Sequence, residues 1–139
     1  MVKLGRTTDI PRREARVFLA KAQEFLAASR DAAEAGQHDA SLLAAVHAAI
    51  VANDAVCAAL LGRRSADPDH QRAVDLLESA ADHEEGISTR GQQLRSLLAK
   101  KNFVAYEARR ATGAEARDGL ERASRFVAWG ADVLSRARL

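Results

Sequence analysis

The sequence predicts an all-α protein, an antiparallel bundle of four to five helices forming a single domain over residues 1–139. Three observations carry this. Alanine, the strongest helix former, fills 31 of the 139 positions. Strand-favouring residues are scarce: aromatics make up 4% of the chain and isoleucine occurs three times. Apolar residues recur at helical spacing in five successive stretches separated by turn residues. A chain of 139 residues is long enough for one core and too short for two. With 47% hydrophobic and 29% charged residues, wholesale disorder is excluded.

The elements follow in order. Thr7-Thr8-Asp9-Ile10-Pro11 reads as a helix start, with Thr8 or Asp9 capping and Pro11 in the first turn. Val17, Phe18, Ala22, Phe25, Leu26 and Ala33 then mark one helical face, which Gly36 ends. Asp39 or Ser41 caps the second helix. Its broad stripe runs from Leu42 and Leu43 through Val46, Ile50 and Val56 to Leu60 and Leu61. Alanines fill the rest, so neighbours can approach closely, and this is the expected central helix. Gly62 stops it. A third, shorter helix starts at Ser65-Ala66-Asp67-Pro68, with Asp67 as cap, and breaks near Glu85-Gly86. Ser88 or Thr89 caps a fourth, whose pattern of Leu94, Leu97 and Leu98 fades at Lys100-Lys101-Asn102. Thr112-Gly113-Ala114-Glu115 fits a capping box, opening a fifth helix that runs to about Arg136. That leaves 100–111 as the irregular stretch.

Several function classes drop out. One cysteine, Cys57, excludes an internal disulfide and a cysteine-based zinc site, and its apolar surroundings predict a buried small hydrophobe. His83 stands beside Asp82, Glu84 and Glu85, but consecutive residues on a helix point in different directions, so no metal site is expected. No cofactor motif is present: there is no phosphate-binding loop, dinucleotide fingerprint or serine-nucleophile motif. The opening MVKLGRTTDI has no apolar core, so no signal peptide is expected, and no uninterrupted apolar run reaches spanning length. The expectation is a cytoplasmic protein without membrane contact. The excess of arginine over lysine, 17 to 4, points to a GC-rich genome.

The net charge of +2 hides an uneven distribution. Residues 1–30 carry +4, 31–64 carry −2, 65–89 carry −6 and 90–139 carry +6. Such segregation suits a nucleic-acid face, a self-complementary dimer surface or internal pairing. Lys100 to Arg110 places Lys100, Lys101, Asn102, Tyr106, Arg109 and Arg110 within eleven residues. Cations there can bind phosphate, and Tyr106 can stack on a base or pack over the core. His47 and Asp54 share one side of the second helix, two turns apart. Asp54 either makes a structural bond to a neighbouring helix or orients or neutralises a cation brought from another helix. His38 is read as a turn residue. His70, at the start of the third helix, is either a surface residue or a proton-transfer group.

Three stretches resemble the HEPN domain, a nucleotide-binding helical bundle of prokaryotic defence and toxin–antitoxin systems. They are His47-Ala48-Ala49-Ile50-Val51-Ala52-Asn53-Asp54-Ala55, then Leu60-Leu61-Gly62-Arg63-Arg64-Ser65 leading to His70, and Leu97-Leu98-Ala99-Lys100-Lys101-Asn102 followed by Tyr106 and a final helix with Arg125-Phe126-Val127-Ala128-Trp129. Active members of that family carry Arg, then His after four to six residues, and two copies meet to cleave RNA without metal. Here Lys101 stands at the Arg position, Asn102 at the polar position and Tyr106 at the His position. Lysine lacks the arginine fork, and a phenol is a poor general base at neutral pH. Some members place a modifiable tyrosine two residues after the His, and Ala108 occupies that position.

The resemblance implies a homodimer that binds RNA or a nucleotide through Lys100, Lys101, Asn102, Tyr106, Arg109 and Arg110, with Asp54 and His70 in support. It also implies a partner such as a nucleotidyltransferase-type antitoxin. Two alternatives stand beside it. One is a weak metal-independent ribonuclease using Lys101, Tyr106 and His70. The other is a non-catalytic helical module for protein interaction.

Overall fold

An alanine-rich helix without a polar face must be enclosed by others, and the architecture follows from that requirement. The computed structural model describes residues 4–139. Its helices are α1 (Ala15–Glu34), α2 (His38–Leu61), α3 (His70–Glu78), α4 (Ile87–Tyr106) and α5 (Gly113–Arg136). Helix α2 touches all four others and supplies buried residues around most of its circumference, including Leu42, Val46, Ala49, Asn53 and Val56. It is long and apolar enough to cross a membrane by composition, but 67% of its most apolar stretch is buried within the bundle, as a core helix should be.

Small side chains set the close approaches. Gly130 of α5 lies against Val56 and Ala52, and Gly119 lies against Leu42. Ser29 of α1 donates to the Ser41 carbonyl at 2.7 Å while Ser41 donates back to the Ser29 carbonyl at 2.9 Å. Both hydroxyls are fully buried and satisfied, so they fasten α1 to α2 without an unpaired polar group. Asn53 is treated the same way: its amide donates to the Ala73 carbonyl of α3 at 3.0 Å. Cys57 is buried, as its apolar run predicts.

The first element departs from expectation. Thr7–Asp9 is a strand, β1, not a helix cap, and it pairs antiparallel with β2, Arg63–Ser65. Gly62 explains this. Its left-handed conformation (φ 65°) turns the chain out of α2, and its carbonyl accepts from Ile10 N at 2.9 Å. Two β-branched threonines then extend along the emerging strand. Pro11 precedes a single 3₁₀ turn, Arg12–Glu14, and α1 starts only at Ala15, with no capping bond from Thr8 or Asp9.

Other helix starts also move. Helix α2 begins at His38, the expected turn residue, after an uncapped Gln37. Asp39 faces away to accept from Ala111 N at 2.7 Å, and Ser41 is engaged with Ser29. Helix α3 is capped by Asp69, which accepts from Gln71 N at 3.0 Å; Asp67 instead accepts from Asp69 N at 3.0 Å in the turn before it. Gly86, left-handed at φ 80°, precedes α4, so Ser88 and Thr89 lie inside that helix. The capping box of α5 forms as predicted, with Thr112 accepting from Glu115 N and Glu115 accepting from Thr112 N.

Helix α4 is longer than its apolar pattern suggests. It runs through Lys100-Lys101-Asn102 to Tyr106, because Phe103 and Val104 still pack on the core and Lys100 pairs with Asp118 of α5 at 2.9 Å. The irregular stretch therefore shrinks to 107–112, between α4 and α5.

Candidate nucleic-acid groove

The end of α4 and the start of α3 lie side by side, and their sequences decide what they expose. Leu97 and Leu98 are buried and fix the face of α4. One turn later Lys101 and Asn102 continue the same face beyond the covered core, half-buried and exposed respectively. Tyr106 closes the helix with 78% of its surface exposed. On the other side, the Asp67 turn and the Asp69 cap fix the direction of α3 and bring His70 opposite. The result is a cleft of about 280 Å³ lined by His70, Gln71, Leu98, Lys101, Asn102 and Tyr106. Four candidates from two separate stretches of the sequence thus converge.

A second cleft of about 240 Å³ adjoins it, lined by Ile50, Asp54, Arg64, Ser65, His70 and Ala73. His70 belongs to both and forms the wall between them. Asp54 lies 3.7 Å from Arg64. The cation beside Asp54 is thus supplied by β2, not by another helix.

The electrostatics follow from partial burial. Burial lowers the affinity of His70 for a proton, Lys101 lowers it further, and Asp69 opposes both. His47, half-buried against Phe25, is lowered by burial, by Lys101 and by His70. Both imidazoles are therefore uncharged at neutral pH. Burial pushes the Asp54 carboxyl up to about 6, with Arg64 pulling the other way. Asp69 also lines the first cleft and Asp67 the second, and both carboxylates accept from backbone amides of the turn.

Lys101 differs from its neighbours. It has no carboxylate partner among the described residues; its ammonium lies 5.8 Å from the centre of the Tyr106 ring. Lys100 is held by Asp118. Arg109 makes a two-pronged contact with Glu115, at 2.9 and 3.0 Å, and lies 3.8 Å over the Phe103 ring. Arg110 pairs with Asp39 at 3.1 Å. These three fasten the 107–112 connection to its surroundings, and none of them lines either cleft. The structure does not bring them to the groove. It does bring Gln71 to the first cleft and Arg64 to the second, neither of which the sequence marks as a binding residue. Arg64 stands in the sequence only as part of the Leu60-to-Ser65 stretch, because the β2 strand that carries it to the cleft has no local signature.

Chemically, the groove offers one unneutralised ammonium, an amide, a phenol and a neutral imidazole able to accept a proton. That set suits a phosphate-bearing ligand. The HEPN domain family model matches residues 15–134. No curated protein matches the chain.

Proposed function

The chain belongs to the HEPN domain family, and from that premise and the groove's geometry we propose that it is an RNA- or nucleotide-binding module of a bacterial toxin–antitoxin or defence system. One observation carries the reading: Lys101, Asn102, Tyr106 and His70 line one cleft, and Lys101 has no carboxylate partner among the described residues. The motif is degenerate, with Lys101-x4-Tyr106 in place of Arg-x4-6-His. Binding therefore outlives efficient cleavage. Each protomer supplies few free cations, so the module works as a homodimer in the cytoplasm that joins two such grooves. A nucleotidyltransferase-type antitoxin is the partner this reading favours.

The test is binding of labelled RNA across a salt series, with Lys101→Ala beside the native protein. Native binding should weaken as salt rises, and the variant should bind less tightly with a shallower dependence. Salt-insensitive binding that Lys101→Ala leaves unchanged refutes the reading.

The neutral His70 beside Lys101 supports a second reading, a weak metal-independent ribonuclease. His70 would take the proton from a ribose 2′-hydroxyl, whose oxygen attacks the adjacent phosphorus; the bond to the 5′-oxygen breaks and that oxygen takes a proton from water. Incubation with RNA in EDTA then yields 2′,3′-cyclic phosphate ends that His70→Ala abolishes.

A further inference from the structure

Helix α1 carries its charges against its own dipole. Arg16 stands in its first turn, where the positive end of a helix favours an acid. Asp31 and Glu34 stand in its last turn, where the negative end favours a base. Glu14, just ahead of the helix, makes no capping bond, and Arg30 turns to Ser124 of α5. Nothing within the chain offsets the arrangement. Every other helix takes part in an ion pair: Asp54 with Arg64, Arg72 with Asp75, Arg95 with Asp75, Lys100 with Asp118. Among the described residues α1 takes part in none, and Arg13, Arg16, Glu24 and Glu34 make no side-chain hydrogen bond either.

The outward face of α1 is centred on Ala20. Arg16 and Glu24 lie four residues to either side of it, and Arg13 and Ala27 seven, so all share one stripe. All are exposed, as is Val17 beside them, at 53%. A hollow of about 660 Å³ follows the first half of this face, lined by Arg13, Glu14, Arg16, Val17 and Ala20. The stripe is complementary to itself in reverse. When a second α1 lies antiparallel with Ala20 against Ala20, Arg16 of each copy meets Glu24 of the other. Ala27 of each then enters the other's hollow beside Arg13. The two dipoles oppose, so the misplaced charges of one helix face the favourable end of the next. Alanine at the centre permits the closest helix approach, about 8 Å between axes. A helix of 20 residues spans about 30 Å, and a lone pair of such helices buries less than the roughly 1,600 Å² of a standard interface. The contact is therefore weak and reversible.

We propose that the outer face of α1 is an interface between two copies of this chain, packed antiparallel about Ala20 and held by two reciprocal pairs of Arg16 with Glu24. No residue of the stripe lines either cleft. The contact is thus separate from one that joins two grooves, and a copy engaged in both belongs to an assembly larger than a dimer.

The experiment is sedimentation velocity over a concentration series at low and high salt. The proteins are native, Arg16→Glu, Glu24→Arg, the double variant carrying both changes, and an equimolar mixture of the two single variants. Native protein should self-associate, less so at high salt. Each single reversal sets like charges opposite one another at both contacts and should weaken this association about tenfold. The mixture should recover it, because a heterodimer of the two single variants brings opposite charges together at both contacts. The double variant should recover it for the same reason. Arg16→Glu places an acid in the first turn, where the helix favours one, so its loss of association is not a loss of fold; circular dichroism checks this. Association that neither reversal weakens, through the grooves or elsewhere, overturns the proposal. So does a weakening that mixing fails to rescue, or a native protein that stays monomeric throughout.

Discussion

Asp54 gives the sharpest link between the fold and the groove. Its side chain is 15% exposed, and burial raises its carboxyl to about 6 although Arg64 lies 3.7 Å away. In the unfolded chain an aspartate titrates near about 3.9. The folded state thus holds the proton more tightly, and the stability this group contributes is full below the unfolded value. It is lost as pH rises through about 6. Two pH units correspond to about 3 kcal/mol, and solvent reaching the open side of the carboxyl brings the expected figure to about 2 kcal/mol. Asparagine has the same shape and does not titrate. Urea unfolding at pH 4 and pH 8 should therefore show Asp54→Asn gaining about 2 kcal/mol relative to the native protein between the two. In thermal unfolding this is a relative gain of about 5–10 °C. Other carboxylates titrate in both proteins and cancel in the difference. A difference independent of pH, or one falling as pH rises, would show that the Arg64 pair outweighs burial and refute the reasoning. The variant has a second consequence, because it removes the counter-charge of Arg64. Oligonucleotide binding should tighten a few-fold at pH 8 and not at pH 5, where the native Asp54 is already protonated.

Three further outcomes follow from contacts at single positions. A methyl group on Gly119 would collide with the buried Leu42, whereas one on Gly130 would meet Val56 at an ordinary 3.5 Å. In urea unfolding, Gly119→Ala should cost about 1–2 kcal/mol net of its helix-propensity gain, and Gly130→Ala should stabilise by about 0.5–1 kcal/mol. Thr112→Ala removes one half of the capping box of α5 and should cost about 1 kcal/mol, with faster amide exchange in the first turn. Lys100→Ala and Lys101→Ala, adjacent in sequence, should separate cleanly. The first breaks the Asp118 pair, costs about 0.5 kcal/mol of stability and leaves RNA binding intact. The second leaves unfolding unchanged and lowers RNA affinity at least fivefold.

Features decided by neighbours in sequence were legible, and those decided by distant partners were not. The capping box was read correctly because Thr112 and Glu115 satisfy each other three residues apart. The burial of α2 was read correctly because alanine content and apolar spacing are local properties. Thr7–Asp9 was misread because its partner strand lies at 63–65 and leaves no trace in a three-residue segment. Asp39 looked like a cap, but its acceptor role is to Ala111, 72 residues away. The end of α4 was placed too early because Lys100-Lys101-Asn102 is polar, while Lys100 is anchored by Asp118 and the next turn is apolar again.

The same distinction governs the site. The basic C-terminal segment looked like a nucleic-acid face through its total charge. In the fold, most of its cations answer internal carboxylates: Arg95 binds Asp75 and Glu78, Arg109 binds Glu115, Arg122 binds Asp118 and Arg136 binds Glu84. A phosphate approaching them must first displace a partner already in place, which cancels much of the attraction. The useful quantity is therefore unanswered charge beside a cleft. By that measure the groove rests on Lys101, within the basic segment; Arg64, from a segment with net charge −2, reaches the adjoining cleft already paired with Asp54. Regional charge pointed to the first and away from the second. Only the fold, by carrying β2 across the end of α2, sets them on either side of His70.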